Sequence, residues 1–354
     1  MREANYLATP EDGREILRIL ESSAAKGSME LLYTRRPDAY ESYMREPGES
    51  RVFVTRSGGR VIGTCAELIR EVYIGGEARR AAYLCGLKKD AAHEGGMGYF
   101  ATFMHGLQRD DIDYYYCSVV TDTEEAKKLF GRERRSISMK PMAEYRTYIF
   151  NPKVKIRAPK HSLTFRQAEE ADVPALIGFL NREGSRKDLF PVVRSLEQFY
   201  NLNCRDFWLL LDGEEIVATA ALWNQTPYKQ YVVKRYRGLM RIARIANPLL
   251  SALRYIRLPK EDAPLDFPML SFFLCRDDRE EYYRVFLQEI TKKICERYGI
   301  FVIGLPKEHC AAALLEESKN IHFDTVLYEI TFPRSGQEYA KVDPHRLFPE
   351  CGLL

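Results

Sequence analysis

The chain has 354 residues, with 53 Lys and Arg against 50 Asp and Glu for a formal net charge of +3. Hydrophobic residues at 45% and aromatics at 12% exclude a disordered chain and leave room for two domains of about 150 to 200 residues each. The near-neutral balance points to no partner through global charge, so local clusters decide. The eight cysteines include no Cys-x-x-Cys pair and read as reduced thiols. Met1-Arg2-Glu3-Ala4-Asn5 lacks the apolar run of a signal peptide, and no stretch of about 18 apolar residues occurs, so the expected location is cytoplasmic.

In chain order, residues 5–9 read as a strand. Thr9-Pro10-Glu11-Asp12 reads as a helix start in which Thr caps, Pro takes the first turn and the acids face the dipole. Residues 27–46 read as a loop and a short helix. Arg51 to Thr55 and Arg60 to Leu68 form a hairpin around Ser57-Gly58-Gly59, and a third strand ends near Tyr73. Tyr83 to Leu87 is a short apolar strand leading to His93-Glu94-Gly95-Gly96-Met97-Gly98. After it Tyr99, Phe100, Phe103, Met104 and Leu107 recur at helical spacing.

A glycine turn at a helix N-terminus is an anion site: the backbone comes close to a ligand, and free N–H groups and the dipole favour phosphate. Lys88 and Lys89 stand just upstream. The plainer alternative is a strand-to-helix turn whose glycines serve tightness alone.

Tyr114 to Val120 reads as a buried strand, Thr121-Asp122-Thr123 caps a helix through Phe130, and residues 136–150 are closing strands. Asn151 to Lys160, with four Lys or Arg and two Pro, reads as a linker. Then the pattern begins again. Ala168 to Asp172 repeats the Ala8 to Asp12 helix start, Trp208 to Leu222 repeats the Phe53 to Leu68 hairpin, and Ala311-x-x-Leu314 repeats Ala126-x-x-Leu129.

This order of elements resembles the GNAT acetyltransferase superfamily, as a tandem pair. The resemblance implies an α/β (α+β) fold of two GNAT-like domains, each a mixed, mostly antiparallel sheet flanked by helices. The expected division is 1–150 for an acyl-CoA-binding domain, 151–161 for the linker, 162–335 for a degenerate copy with a basic helical insertion at 224–262, and 336–354 for a tail. In that family an (Arg/Gln)-x-x-Gly-x-(Gly/Ala) loop holds the pyrophosphate of acyl-coenzyme A. Here His93 takes the Arg/Gln place and Gly96 and Gly98 match the small positions.

The resemblance thus implies coenzyme contacts at Leu87, Lys88, Lys89, His93, Glu94, Gly95, Gly96, Met97, Gly98, Tyr99 and Thr123. The second copy has Cys275 to Tyr282 in the loop's place, with four carboxylates and no glycine, so one coenzyme per chain is expected. Where many members place a Tyr that protonates the leaving thiolate, the copies have Phe130 and Leu315.

For the proton acceptor Glu67 is the first candidate and Glu71 the second, each with a solvated strand-end charge as the plainer alternative. Tyr116 is the candidate replacement acid, with a core aromatic as its alternative. The histidines show no metal-ligand spacing, and no metal is expected; the acids at 277–281 read as a charged helix start. The insertion carries nine cations and no acid from Ile216 to Lys260. It reads as a packed helical hairpin with a basic rim, an acceptor-lining segment, an RNA contact or a surface for an anionic membrane.

The expected function is N-acyl transfer, with acetyl-CoA or another acyl-CoA as cosubstrate and a small-molecule or peptide amine as acceptor. A nucleic-acid partner is not expected, and a membrane surface through 229–260 is open but not favoured. The alternatives are a non-catalytic acyl-CoA-binding module and a tRNA-dependent aminoacyl transferase.

Overall fold

The computed structural model describes residues 4–24, 29–93, 106–120, 137–242, 244–245, 258–318, 320–332 and 336–354. In chain order the strands and α-helices are β1 (Ala4–Leu7), α1 (Gly13–Leu20), β2 (Met29–Thr34), α2 (Ala39–Met44), β3 (Glu49–Ser57), β4 (Arg60–Ile74), β5 (Glu77–Lys89), β6 (Tyr114–Val120) and β7 (Ser138–Phe150). There follow β8 (Thr164–Gln167), α3 (Val173–Gly184), β9 (Phe207–Asp212), β10 (Glu215–Trp223), β11 (Gln230–Tyr236), β12 (Met269–Cys275), α4 (Glu280–Arg297), β13 (Phe301–Pro306), α5 (Cys310–Glu316) and β14 (Ile321–Thr331). The mixed α/β architecture expected from the sequence is present, and its strand pairs are mostly antiparallel.

The chain divides into two compact units that interleave along the sequence: residues 1–69, 82–112 and 225–266 form the first, and 70–81, 113–224 and 267–354 the second. In the first unit β3 pairs antiparallel with β1 and with β4, and β5 neighbours β4. Helix α1 places Ile16, Ile19 and Leu20 in the core with Val54, Val61 and Ala66. A separate ribbon pairs β11 with β2, from Gln230↔Thr34 to Tyr236↔Met29.

That ribbon corrects two sequence readings. Residues 27–46 contain a strand, and the segment expected as a helical insertion begins as one, with helical residues only from 239. The reason is legible afterwards: Tyr231, Val232 and Val233 are aromatic or β-branched, and they face Tyr33, Leu32 and Leu31 across the ribbon. The expected third strand near Tyr73 is also corrected. Backbone pairing carries β4 without a break through the buried run 61–70 to Ile74.

In the second unit the strand order is β6-β14-β7-β13-β12-β10-β9-β8. The β12–β13 pair is parallel and the others are antiparallel. The closing strand β7 does not fold back on itself. Its two edges take β13 and β14, and β14 also pairs with β6, so strands from the two halves of the sequence alternate in one sheet. The core here is aromatic: Phe272 lies with ring centroids 4.9 Å from Phe199, 5.7 Å from Phe207 and 6.1 Å from Trp223. The turn of the β4–β5 hairpin belongs to this unit, with Tyr73 N–H donating to Phe190 O at 2.8 Å.

Candidate functional site

The end of β5 is built from three side-chain arrangements. Gly86 has φ +63°, and a Cβ there would lie 2.2 Å from the Tyr43 hydroxyl, so only glycine fits. Behind Tyr43 lies a buried charged network. Arg35 stacks on the Tyr43 ring at 3.9 Å, donates to Glu46 at 2.7 Å and Ser42 Oγ at 3.1 Å, and Glu46 also takes Lys229 at 3.0 Å. Burial raises the Tyr43 hydroxyl well above its ordinary range against the pull of Arg35, so it stays a neutral donor. Lys229, read from sequence as part of a basic segment, is thus a core counter-ion.

Lys88, two residues on, donates Nζ–H to Leu20 O and to Ser23 O, the latter at 2.8 Å. Desolvation brings its pKa down to about 8, opposed by the charge of Glu21. Asp90 closes the strand: its N–H donates to Ile62 O at 2.8 Å, and its carboxylate takes Arg18 at 2.6 Å and Arg60 at 3.0 Å. The same carboxylate accepts Ala92 N–H, and His93 N–H donates to Asp90 O at 3.0 Å. These bonds fix the path of the chain from the strand end to His93. Leu87 and Lys89 sit half-buried on the last strand residues. Glu94, Gly95, Gly96, Met97, Gly98, Tyr99 and Thr123 lie outside the described residues, as does Phe130.

On β4 the register sets Glu67 opposite Arg51. Arg51 Nη1 lies 2.6 Å from Glu67 Oε2, while Oε1 has no hydrogen-bond partner among the described residues and the side chain is 0% exposed. Burial lifts the carboxyl to about 7, against the lowering pull of Arg51. Glu71, the second candidate, is exposed and paired with Arg194 at 3.1 Å, as a strand-end charge would be. Tyr116 belongs to the second unit, is 1% exposed, and lies in the run Tyr114 to Cys117, every residue of which is buried.

The second unit has its own strand end after β12. Asp278 accepts Lys187 Nζ at 2.6 and 2.7 Å and Tyr283 Oη at 2.7 Å, with His309 Nε2 at 3.5 Å. Asp278, His309 and Cys310 have the residue types of a metal site. An ammonium already sits on the carboxylate, and His309 Nδ1 accepts Ala311 N–H at 3.2 Å, which leaves the ring proton on Nε2. Neighbouring Asp277 donates its N–H to Glu183 Oε2 at 3.2 Å and pairs with Arg186, so the loop amide is occupied by a carboxylate of the protein itself.

Sequence reasoning missed Asp90, Arg35 and Glu46. An Asp directly after a strand and before small residues was a turn signal for the first. The other two carried no local signal, because their partners are far apart in the chain.

No protein-family model matches the sequence, and neither does any curated protein sequence. Solved structures do match in fold. A GCN5-related N-acetyltransferase from Anabaena variabilis superposes with a TM-score of 0.53 at 12% identity, covering 92% of this chain and 72% of that one. One from Kribbella flavida gives 0.52 at 11%, covering 94% and 71%. Saccharomyces cerevisiae N-myristoyltransferase with bound myristoyl-CoA gives 0.56 at 8%, covering 98% and 89%. At these identities the likeness is one of fold, and by it the chain has the fold of the GCN5-related N-acetyltransferases, the GNAT fold.

Proposed function

We propose that the protein is an acyl-CoA-dependent N-acyltransferase with its working site in the first unit. The observation that carries the reading is Glu67, a fully buried carboxyl on β4 with one oxygen unpartnered and a pKa of about 7. A base poised there takes a proton from an ammonium or a nitrogen at neutral pH without being locked in either form. Arg51 holds the other oxygen and fixes the orientation of the carboxyl. Glu71 is set aside, because it is exposed and paired.

The end of β5 supports a pyrophosphate by its charge. Lys88 is partly desolvated and bonded to carbonyls, Lys89 follows it, and the charge of Asp90 is offset by Arg18 and Arg60. Residues Leu87 to Tyr99 with Thr123 would hold the coenzyme, as the resemblance implies. Bound acyl-CoA supplies the acyl thioester. In the balanced reaction the amine nitrogen forms the amide bond, the C–S bond breaks, and the proton lost by nitrogen through Glu67 ends on the departing thiolate. The acceptor is an amine of small-molecule or peptide type, and acetyl is the first acyl group to test.

A second reading, a non-catalytic acyl-CoA-binding module, is favoured by Phe130 standing where the resemblance implies a Tyr and by the burial of Tyr116. Thiol release with a panel of amines separates the two. We expect release with at least one amine, and a fall in kcat/KM of about 10² or more in Glu67→Gln with coenzyme affinity unchanged. Release that is unaltered in rate and pH profile by Glu67→Gln removes the carboxyl from the mechanism. No release with any amine moves the protein to the binding-module class.

A further inference from the structure

After β11 the chain turns at Arg237-Gly238 into a helical stretch, residues 239–242 and 244–245. Its large aliphatic side chains face water: Leu239 is 82% exposed, Ile245 75% and Ile242 64%. Spaced three apart, they fall on one side of a helix within an arc of about 120°. Arg241 and Arg244 lie outside that arc, and Arg237 stands in the turn before the helix. Arg241 is exposed, while Arg237 reaches Glu30 at 2.5 Å and Arg244 donates to Pro259 O at 2.9 Å. A packed helical hairpin would have turned the aliphatic side inward, and the described residues do the opposite.

The charge along this stretch of sequence has one sign. From Ile216 to Lys260 the sequence holds nine cations and no acid. Three are spent within the first unit, Lys229 on Glu46, Lys234 on Asp262 and Arg237 on Glu30. Of the rest, Arg235, Arg241, Arg244 and Lys260 stand among the described residues and outnumber Glu261, the acid that follows them in the sequence. An exposed aliphatic face backed by excess cations is the composition of a helix that lies in the plane of an anionic lipid surface. The aliphatic side enters the acyl boundary and the arginines meet headgroup phosphates.

We infer that the exposed face of Leu239, Ile242 and Ile245, with Arg241 beside it, docks the protein on membranes containing anionic phospholipid. Two other occupants fit the residues less well. Single-stranded nucleic acid is held by cations with stacking rings, and 237–245 contains no aromatic residue. A second copy of the chain would bring like-charged arginines together around the apolar contact.

The test is co-sedimentation of the full chain with vesicles of phosphatidylcholine alone and of phosphatidylcholine mixed with phosphatidylglycerol. The wild type should bind the mixed vesicles, bind the neutral ones weakly, and release from the former as salt rises. The triple substitution Leu239→Ser, Ile242→Ser, Ile245→Ser should lower the partition coefficient about tenfold or more, and Arg241→Glu should lower it for mixed vesicles only. These positions face solvent, so the unfolding temperature of the free protein should not move, which separates lost docking from lost folding. No binding to mixed vesicles, or binding indifferent to the triple substitution, overturns the inference. So does a wild-type dimer that dissociates on the triple substitution, or tighter binding to single-stranded RNA than to mixed vesicles.

Discussion

The ends of β5 in the first unit and β12 in the second both carry an acid and nearby cations, and these charges are satisfied in opposite ways. After β5 the acid, Asp90, is held by Arg18 and Arg60, while the cation Lys88 is bonded to the carbonyls of Leu20 and Ser23. After β12 the acid Asp278 has taken Lys187, Tyr283 and His309, and the amide of Asp277 has taken Glu183. The first end keeps positive charge available to an anion, whereas the second supplies its own anions and its own cation. A strand end can therefore keep its backbone path and lose its use for phosphate when acids fill the loop.

The largest effect is expected behind the first strand end. Glu46→Ala leaves Arg35 and Lys229 buried without their shared carboxylate and should destabilise the first unit by about 3–5 kcal/mol, measured by denaturant unfolding. A loss within experimental error would mean that the network does not support β5. At the second strand end Asp278→Ala strips Lys187 of its partner. Because Asp278 is 43% exposed, a smaller loss of about 2 kcal/mol is expected, with coenzyme affinity unchanged.

A pH effect sharpens the contrast further. Lys88 is lowered to about 8, so its charge, and the coenzyme affinity that depends on it, should fade as pH rises through about 8. Lys88→Arg should flatten that dependence, since guanidinium stays charged. The sign for Glu67 is opposite to that of an ordinary paired acid. Its folded pKa of about 7 exceeds the usual 4.5, so the native state holds the extra proton and stability falls as pH rises between those values, by up to about 3 kcal/mol. In Glu67→Gln this slope should disappear from unfolding curves taken across the interval.

Much of the fold was legible because it is written in local patterns. The Ser57-Gly58-Gly59 and Asp212-Gly213 turns, the Tyr114–Val120 strand and the Thr9-Pro10 helix start stand close to where spacing and turn chemistry put them. Pairings set by distant partners were not legible. Nothing within residues 138–150 says that β7 takes β13 and β14, and nothing in 29–34 names β11 as its partner. Glu67 was legible as a candidate only from its place near the end of the hairpin strand, and its burial was not, since a solvated strand-end charge was the plainer reading. Arg35 and Glu46 drew no reading of their own within 27–46, since burial of an ion pair depends on tertiary packing that composition does not encode.

Calorimetric titration of coenzyme A into the full chain tests most directly the proposal that the end of β5, and not the end of β12, takes the anion. One site per chain is predicted, with affinity reduced about tenfold in Lys88→Met and unchanged in Lys187→Met. Two sites per chain, or an affinity that falls with Lys187→Met and not with Lys88→Met, would contradict it.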